Sequence, residues 1–236
     1  MSKIKGLLLI PSKPDPERDA IASTWIEQGG QVQRVEQFWI KPETGNSSVA
    51  IYGNETFSQV LAQVLGKRLV TVKDELITQL EHKWTKRAIT LMSIDQVRHI
   101  VFPKFIKSVM PKMIPSKVYH TEEEFVTAIK GVKPNDQVIV SDIISISKEA
   151  RSFVLHRTVC DIAYYEGNGD LEDGKQFAAE FLTNYTEALP ATLVLDIGYN
   201  TNDGWFIVEF NSCWGAGLNS CDPAKVVECI EAATIN

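Results

Sequence analysis

The stretch LDIGYNTNDGWFIVEFN, residues 195–211, decides the fold of this chain. Its two ends are apolar and β-prone, and the middle is rich in Asn, Asp and Gly, so the stretch predicts an antiparallel hairpin. If the turn centres on the Asn-Asp pair, paired residue numbers sum to 405, and Asp196 lies opposite Glu209. Asn211 then shares the face of Glu209, because alternate residues of a strand point the same way.

Three oxygen-bearing side chains on one face predict a metal site. Two directly opposed carboxylates repel each other unless a cation lies between them. Mg²⁺ suits such a set, because it takes a few carboxylates and completes its shell with water and phosphate. We therefore predict Asp196, Glu209 and Asn211 as ligands of Mg²⁺. The alternative is a hairpin whose acidic face is simply solvated.

The composition is that of an ordinary globular protein, with 44% apolar and 23% charged residues in a chain of 236. This length allows one large domain or two small lobes. A net charge of −6 argues against a nucleic-acid partner. Within that acidic average, a local basic cluster suggests an anion site; its members are Lys104, Lys107, Lys112 and Lys117.

The four cysteines show no CxxC spacing, so a zinc site is not expected; they are Cys160, Cys213, Cys221 and Cys229. Reduced thiols in a chain of this size are typical of a cytoplasmic protein. The apolar run from Gly6 to Ile10 is too short for a signal peptide or a membrane span, so no membrane partner is expected.

The first third of the chain alternates strand and helix patterns and predicts a small α/β lobe at 1–82. The predicted strands are 3–10, 31–38, 49–52 and 67–72, and the predicted helices are 14–28 and 55–65.

The remainder, 83–236, predicts a larger lobe with antiparallel strands, and the whole chain reads as α+β. A helix over 74–92 is expected to bridge the lobes, followed by a strand at 97–105 and a loop at 106–116. Further predicted strands are 137–143, 150–159 and 161–166, and further helices are 121–130, 172–187 and 222–233.

Two lysines are candidates for an anion site. Lys104 lies in an apolar strand pattern, and a buried ammonium group without a partner is costly, so it should meet an anion. The alternative is a lysine that extends to solvent from an edge strand. Lys117 follows a flexible loop and either adds a second positive charge or is a solvated surface residue.

Glu149 and Arg151 follow the apolar strand at 138–144 and share a face of the next strand, because they are two residues apart. The two side chains either pair with each other or serve a ligand in a cleft. In a cleft, the guanidinium group is suited to phosphate and the carboxylate to ribose hydroxyls.

Residues 84–233 resemble the small stand-alone members of the ATP-grasp superfamily, most specifically in the VEFN sequence at 208–211 and its partner strand. The resemblance implies an ATP-grasp fold: a small N-terminal α/β lobe, and a C-terminal antiparallel lobe with a nucleotide cleft between its sub-lobes. The cofactors it implies are ATP and Mg²⁺.

The resemblance also implies roles for individual residues. Lys104 and Lys117 would bind the phosphates, and the linker from Asp142 to Ile144 would lie against adenine. Glu149 would contact ribose, and Arg151 would face the transferring phosphate. Asp196, Glu209 and Asn211 would hold Mg²⁺, and Lys104 and Arg151 would be the catalytic cations.

One departure concerns the phosphate loop. Many ATP-grasp enzymes carry a glycine-rich loop after the strand lysine, whereas 106–116 contains no glycine. Lys117 could take over part of its role, and Lys86 is a candidate for a second family lysine.

The implied activity is ligation, in which ATP phosphorylates a substrate carboxylate and an amine or similar nucleophile attacks the acyl phosphate. Expected substrates are small-molecule or peptide carboxylates and amines. The alternatives are an ATP- and Mg²⁺-binding sensor or scaffold without catalysis, a small-molecule kinase, and a Mg²⁺-dependent nuclease. The nuclease is disfavoured because Asn211 stands where such enzymes need a lysine. Cys213 is expected to be a buried, inert thiol, and 214–219 could shape the acceptor pocket.

Overall fold

The computed structural model describes residues 6–110 and 113–236. Its strands are β1 (Leu7–Pro11), β2 (Gln31–Val35), β3 (Val49–Ile51), β4 (Arg68–Leu69), β5 (Ile89–Ser93), β6 (Lys104–Ser108), β7 (Lys117–Tyr119), β8 (Gln137–Ser141), β9 (Lys148–Leu155), β10 (Thr158–Glu166), β11 (Thr192–Asn200), β12 (Gly204–Asn211) and β13 (Thr234–Ile235). Its α-helices are α1 (Pro16–Glu27), α2 (Glu55–Leu65), α3 (His82–Thr85), α4 (Ile94–Val97), α5 (Glu122–Ala128), α6 (Glu172–Asn184) and α7 (Pro223–Glu231), with a 3₁₀ helix at Asp74–Gln79.

The N-terminal lobe contains a parallel sheet in the order β2-β1-β3. Helix α1 begins after Asp15, whose carboxylate accepts a hydrogen bond from the backbone N–H of Arg18 at 3.0 Å. Helix α2 ends at Gly66, which adopts the left-handed conformation that glycine tolerates best. The predicted strand at 3–10 is present from Leu7 onward, and its first three residues lie outside the described part of the chain.

The central sheet is antiparallel, in the order β10-β9-β11-β12. One face packs on α6, with Phe181 and Leu182 fully buried against strand residues such as Leu195. The other face contributes to a core that also contains residues of α1, α7 and β1. The N-terminal sheet and the C-terminal lobe are therefore joined through one shared hydrophobic core.

A second antiparallel sheet has the order β5-β8-β6-β7. Helices α4 and α5 cover one face, where Val97, Ile106 and Phe125 are fully buried. The other face looks towards β12 of the central sheet, and a cleft lies between them. This arrangement confirms the predicted α+β fold with two antiparallel sub-lobes.

The prediction of a helix over 74–92 is wrong. A 3₁₀ helix and α3 occupy its first part, and α3 ends because Lys86 has a left-handed backbone with φ of 53°. The rest of this region is β5, whose ITLMS sequence favours a strand.

The prediction of a strand at 97–105 is also wrong in its bounds. A capping box between Ser93 and Gln96 starts α4, and the strand begins only at Lys104. The predicted loop at 106–116 therefore begins inside β6, and its residues 111 and 112 lie outside the described part.

The domain boundary between 82 and 83 stays a prediction. Among the described residues, no helix is both long and apolar enough to cross a membrane.

Candidate active site

The hairpin of β11 and β12 pairs Asp196 with Glu209, as predicted from the sequence. The predicted turn centre is wrong, because Asn200 pairs with Gly204 and the paired numbers near the turn sum to 404. The Asn200 side chain stabilises this turn by accepting hydrogen bonds from two backbone N–H groups. A β-bulge at Val208 then adds one residue and restores the register at Glu209.

Asn211 links the two carboxylates. Its Nδ2 group donates to Asp196 Oδ2 at 3.0 Å and to Glu209 Oε1 at 3.1 Å. The three residues predicted as metal ligands are therefore together on one face of the hairpin. Among residues 6–110 and 113–236, no group of three or more His, Cys, Asp or Glu side chains is arranged to hold a metal ion.

Arg151 lies across β9 from this set and binds Asp196 through two hydrogen bonds, Nε to Oδ1 at 2.9 Å and Nη2 to Oδ2 at 2.6 Å. Its third nitrogen donates to the carbonyl of Gly217 at 3.0 Å. Burial raises the pKa of Asp196, and the Arg151 guanidinium opposes that rise. Arg151 thus pairs with Asp196, which was not among the two partners that the sequence offered for it.

Glu149 lies on β9 opposite Gly198 of β11, two residues before Arg151. Burial raises the pKa of Glu149, and a hydrogen bond with Tyr165 partly opposes this rise. The Tyr165 ring also lies 5.8 Å from the guanidinium carbon of Arg151. Glu149 therefore shares its surroundings with the Arg151–Asp196 pair.

Lys107 is the lysine that the structure brings to the acidic hairpin. Its Nζ is 2.9 Å from Asp74 Oδ2 and 3.4 Å from Glu209 Oε2. Burial acts to lower the pKa of Lys107, but Glu209 and Asp74 outweigh it and raise the pKa. The sequence analysis counted Lys107 only as part of a basic cluster. The missed signal is the alternation of β6, which puts Phe105 and Lys107 on the cleft face and Ile106 in the core behind it.

Lys104 and Lys117 are placed differently. Lys104 forms an ion pair with Asp142 and, unlike Lys107, is not among the residues that line the cleft. Lys117 is exposed, with its Nζ 4.9 Å from the ring centroid of Tyr119. The phosphate roles predicted for these two lysines stay predictions.

The linker from Asp142 to Ile144 lines the cleft between the two sheets, where the sequence analysis expected it. The cleft encloses a cavity of about 200 Å³. Most of its lining is apolar, and this part consists of Ile77, Ile89, Phe105, Val118, Ile139, Ile143, Ile144, Ile146, Val208 and Phe210. Such a lining suits a flat, mainly apolar ring.

A second, more open cavity of about 410 Å³ adjoins the cleft, and both are lined by Asp74, Lys107 and Phe210. It is also lined by Asn211 and by residues 214–216 of the loop after β12. The loop that the sequence suggested for an acceptor pocket therefore contributes to a cavity beside the predicted metal ligands.

Arg87, rather than Lys86, lines the cleft. Its guanidinium group donates to the hydroxyl of Ser141 and to the backbone carbonyls of Ile207 and Val208, at 3.0 to 3.2 Å. Burial lowers the pKa of Arg87 to about 10. The sequence analysis did not single this residue out, because its partners are backbone atoms that no motif reveals.

Cys213 is fully buried and accepts a hydrogen bond from Thr192 Oγ1 at 3.1 Å. Burial raises the pKa of this thiol to about 12, so the thiolate form is disfavoured. The expectation of a buried thiol at this position is confirmed.

Two antiparallel sheets that enclose a cleft, with an acidic hairpin at its edge, define the ATP-grasp class of proteins. A family model for an ATP-grasp domain, the second family of its clade, matches residues 84–229, which is more than half of the chain. The chain belongs to this family, and the resemblance stated from the sequence is confirmed.

Solved structures with the same fold include a RimK domain ATP-grasp protein from Sphaerobacter thermophilus, at 13% identity and a TM-score of 0.64, covering 95% of this chain and 98% of that one. N5-carboxyaminoimidazole synthetase from Staphylococcus aureus, complexed with ADP, is 9% identical with a TM-score of 0.61 and covers 100% and 80%. The macrocyclase MdnC from Microcystis aeruginosa, bound with its precursor peptide MdnA, is 8% identical with a TM-score of 0.59 and covers 96% and 98%. No curated protein sequence matches the chain.

Proposed function

We propose that the protein is an ATP-dependent ligase that activates a substrate carboxylate as an acyl phosphate for attack by an amine or similar nucleophile. The observation that carries this proposal is the set of Asp196, Glu209 and Asn211 beside two cations, Arg151 and Lys107, at the edge of an apolar cleft. Membership of the ATP-grasp family supports the same class of reaction.

The nucleotide is proposed to lie in the cleft, with the purine against the linker at Ile144 and the ribose towards Glu149. Lys107 is the proposed phosphate-binding lysine of the cleft, since it already lies between two carboxylates at its mouth. Lys104 and Lys117 stay candidates for phosphate contacts made after a side-chain movement.

The donor set fits Mg²⁺, because two carboxylates and one amide lie within hydrogen-bonding distance of one another. Asn211 Nδ2 now donates to both carboxylates, and rotation of this amide would present its oxygen in place of its nitrogen. Asp196, Glu209 and Asn211 would hold the ion. When bound, Mg²⁺ would neutralise phosphate charge and orient the phosphoryl group.

In the proposed reaction, a carboxylate oxygen of the substrate attacks the γ-phosphorus, and the bond from that phosphorus to the ADP oxygen breaks. The nucleophile then attacks the acyl carbon and phosphate leaves. Arg151 and Lys107 supply fixed positive charge where negative charge develops, and the cleft excludes water from the acyl phosphate. The cavity beside Asn211 is the proposed place for the carboxylate and the nucleophile, which are small molecules or peptide groups.

A second candidate function is Mg²⁺-nucleotide binding without catalysis, as in a sensor or scaffold. One observation favours it: both oxygens of Asp196 are already occupied by Arg151, which competes with a metal ion for this carboxylate. A small-molecule kinase would use the same cations and differ only in the acceptor. A cytoplasmic location is part of the proposal, because all four cysteines are free thiols.

The ligase proposal is tested by ADP release from ATP and Mg²⁺ in the presence of pools of carboxylates with and without pools of amines. We expect release that needs both pools, and that is lost in Glu209→Gln but kept in Glu172→Gln, an exposed carboxylate on α6. Nucleotide binding with no release from any pool would favour the sensor, and release with alcohols alone would favour the kinase.

A further inference from the structure

The face of β12 on which Glu209 lies depends on the bulge at Val208. From the turn to Ile207, paired residues sum to 404, and this register would pair Glu209 with Leu195 if it continued. Leu195 points into the core under α6, so Glu209 would be buried there without a partner. The extra residue at Val208 moves Glu209 to the face of Asp196.

Packing along β12 supports this description. Ile207 and Phe210, three residues apart, both point into the core under α6, which an unbroken two-residue alternation would forbid. A Cβ atom at Gly198 would lie 2.9 Å from side-chain atoms of Phe206 and Val208. The absence of a side chain at Gly198 therefore leaves the room that the bulged strand needs.

Arg87 holds the bulge from the open side. β12 is the edge strand of the central sheet, so the outer carbonyls of β12 have no neighbouring strand. The carbonyls of Ile207 and Val208 both accept from Arg87, at 3.0 and 3.2 Å, although consecutive carbonyls of a regular strand point to opposite sides. The guanidinium carbon also lies 5.6 Å from the ring centroid of Phe206.

The same side chain reaches the other sheet. Nε of Arg87 donates to Ser141 Oγ at 3.0 Å, and Ser141 is the last residue of β8, directly before the linker. A further bond goes to the carbonyl of Thr85. All four acceptors are uncharged, so the fork of donors is used rather than an ion pair.

We propose that Arg87 is a positioning residue of the metal site, which fixes the bulge at Val208 and thereby directs Glu209 towards Asp196 and Asn211. This inference rests on the proposed function of that site. Arg87 is given no contact with the metal and no step in the reaction.

The test compares ADP affinity with and without Mg²⁺ in the wild type, Arg87→Met and Arg87→Lys. Arg157→Met is the matched control, because Arg157 also donates to backbone carbonyls, those of Leu182, Tyr185 and Glu187, but at the far end of the sheet. We expect both Arg87 variants to lose about 10- to 100-fold of the affinity that Mg²⁺ adds, as for other residues that support a metal ligand. Affinity without Mg²⁺ should stay close to that of the wild type.

Hydrogen exchange of ligand-free protein gives an independent measurement. Amides of 205–211 should exchange faster in the Arg87 variants and be unchanged in Arg157→Met. Arg87→Lys keeps the charge, so full Mg²⁺ dependence in that variant would overturn the proposal, as would an equal loss of affinity with and without Mg²⁺. If Arg157→Met also loses the Mg²⁺ dependence, the effect is general loosening and the proposal fails. Absence of Mg²⁺ dependence in the wild type would instead remove the proposed function itself.

Discussion

The two antiparallel sheets hold their charged residues in different ways. In the central sheet, Arg151 and Asp196 form a two-point pair whose side chains are only 11% and 1% exposed. In the second sheet, Lys104 and Asp142 are 28% and 43% exposed, and Lys107 is 27% exposed. Exposed pairs contribute little to stability and exchange partners easily, whereas a buried pair cannot lose one member cheaply.

This difference assigns separate tasks to the two sheets. The central sheet presents a fixed acidic face, held by Arg151 and by the amide of Asn211. The second sheet presents lysines that a phosphate group can recruit, because their present partners are solvent-accessible carboxylates. Nucleotide binding is therefore expected to rearrange side chains of the second sheet and to leave the central sheet unchanged.

The largest effect is expected from Arg151→Met, which leaves the Asp196 carboxylate buried without its cation. The free energy of unfolding should fall by about 3–5 kcal/mol, measured by urea unfolding. Burial raises the pKa of Asp196, so the folded variant binds a proton more readily than the unfolded chain. The deficit should therefore shrink as the pH falls from neutral to mildly acidic.

The double variant Arg151→Met/Asp196→Asn is the control for this prediction, and it should recover much of the lost stability because no charge is left buried. A deficit in Arg151→Met below about 1 kcal/mol, the range of exposed pairs, would remove the contrast between the two sheets.

Lys107→Ala should weaken ATP binding by about 10- to 100-fold and adenosine binding by less than about twofold, because the lysine acts on phosphate. Lys104→Ala is the matched variant on the same strand, and a smaller loss is expected because its ammonium pairs with Asp142 outside the cleft lining. Calorimetry with both ligands measures this. A larger loss for Lys104→Ala would restore the assignment made from the sequence.

Phe105→Ala should weaken ATP and adenosine by the same factor, about five- to tenfold or close to 1 kcal/mol, because the ring lines the apolar cleft. Ile106→Val, on the opposite face of the same strand, is the control and should leave both affinities unchanged. An effect of Phe105→Ala on ATP alone would mean that the base lies elsewhere.

The smallest effect is expected from Cys213→Ala. Nucleotide affinity and any ADP release should stay within about twofold of the wild type, since the thiol is buried and its pKa is raised. A loss of ADP release with intact nucleotide binding would contradict this and give the thiol a role in the chemistry.

The hairpin at 195–211 was the most predictable part of the molecule, because alternation and turn residues are local signals. Even there, the opposition of Asp196 and Glu209 came out right although the turn was placed wrongly, since the bulge at Val208 offset the error. A bulge depends on packing against Ile207 and Phe210, which no window of sequence contains.

The second sheet was harder to predict. Its strands β6 and β7 are short, and a capping box at Ser93 turned a predicted strand into a helix followed by an irregular segment. The choice between Lys104 and Lys107 depends on the strand bounds, which decide the faces of β6. Arg87 was beyond prediction because its acceptors are backbone atoms more than one hundred residues away.

The central claim is that the acidic hairpin binds Mg²⁺ together with a nucleotide in the cleft. Calorimetric titration of ATP into the wild type and into Glu209→Gln, each with and without Mg²⁺, tests it most directly. The account predicts tighter binding with Mg²⁺ in the wild type and no such gain in Glu209→Gln, with similar Mg²⁺-free affinities. An equal gain in both proteins would contradict the metal site, and no binding by the wild type would contradict the nucleotide cleft.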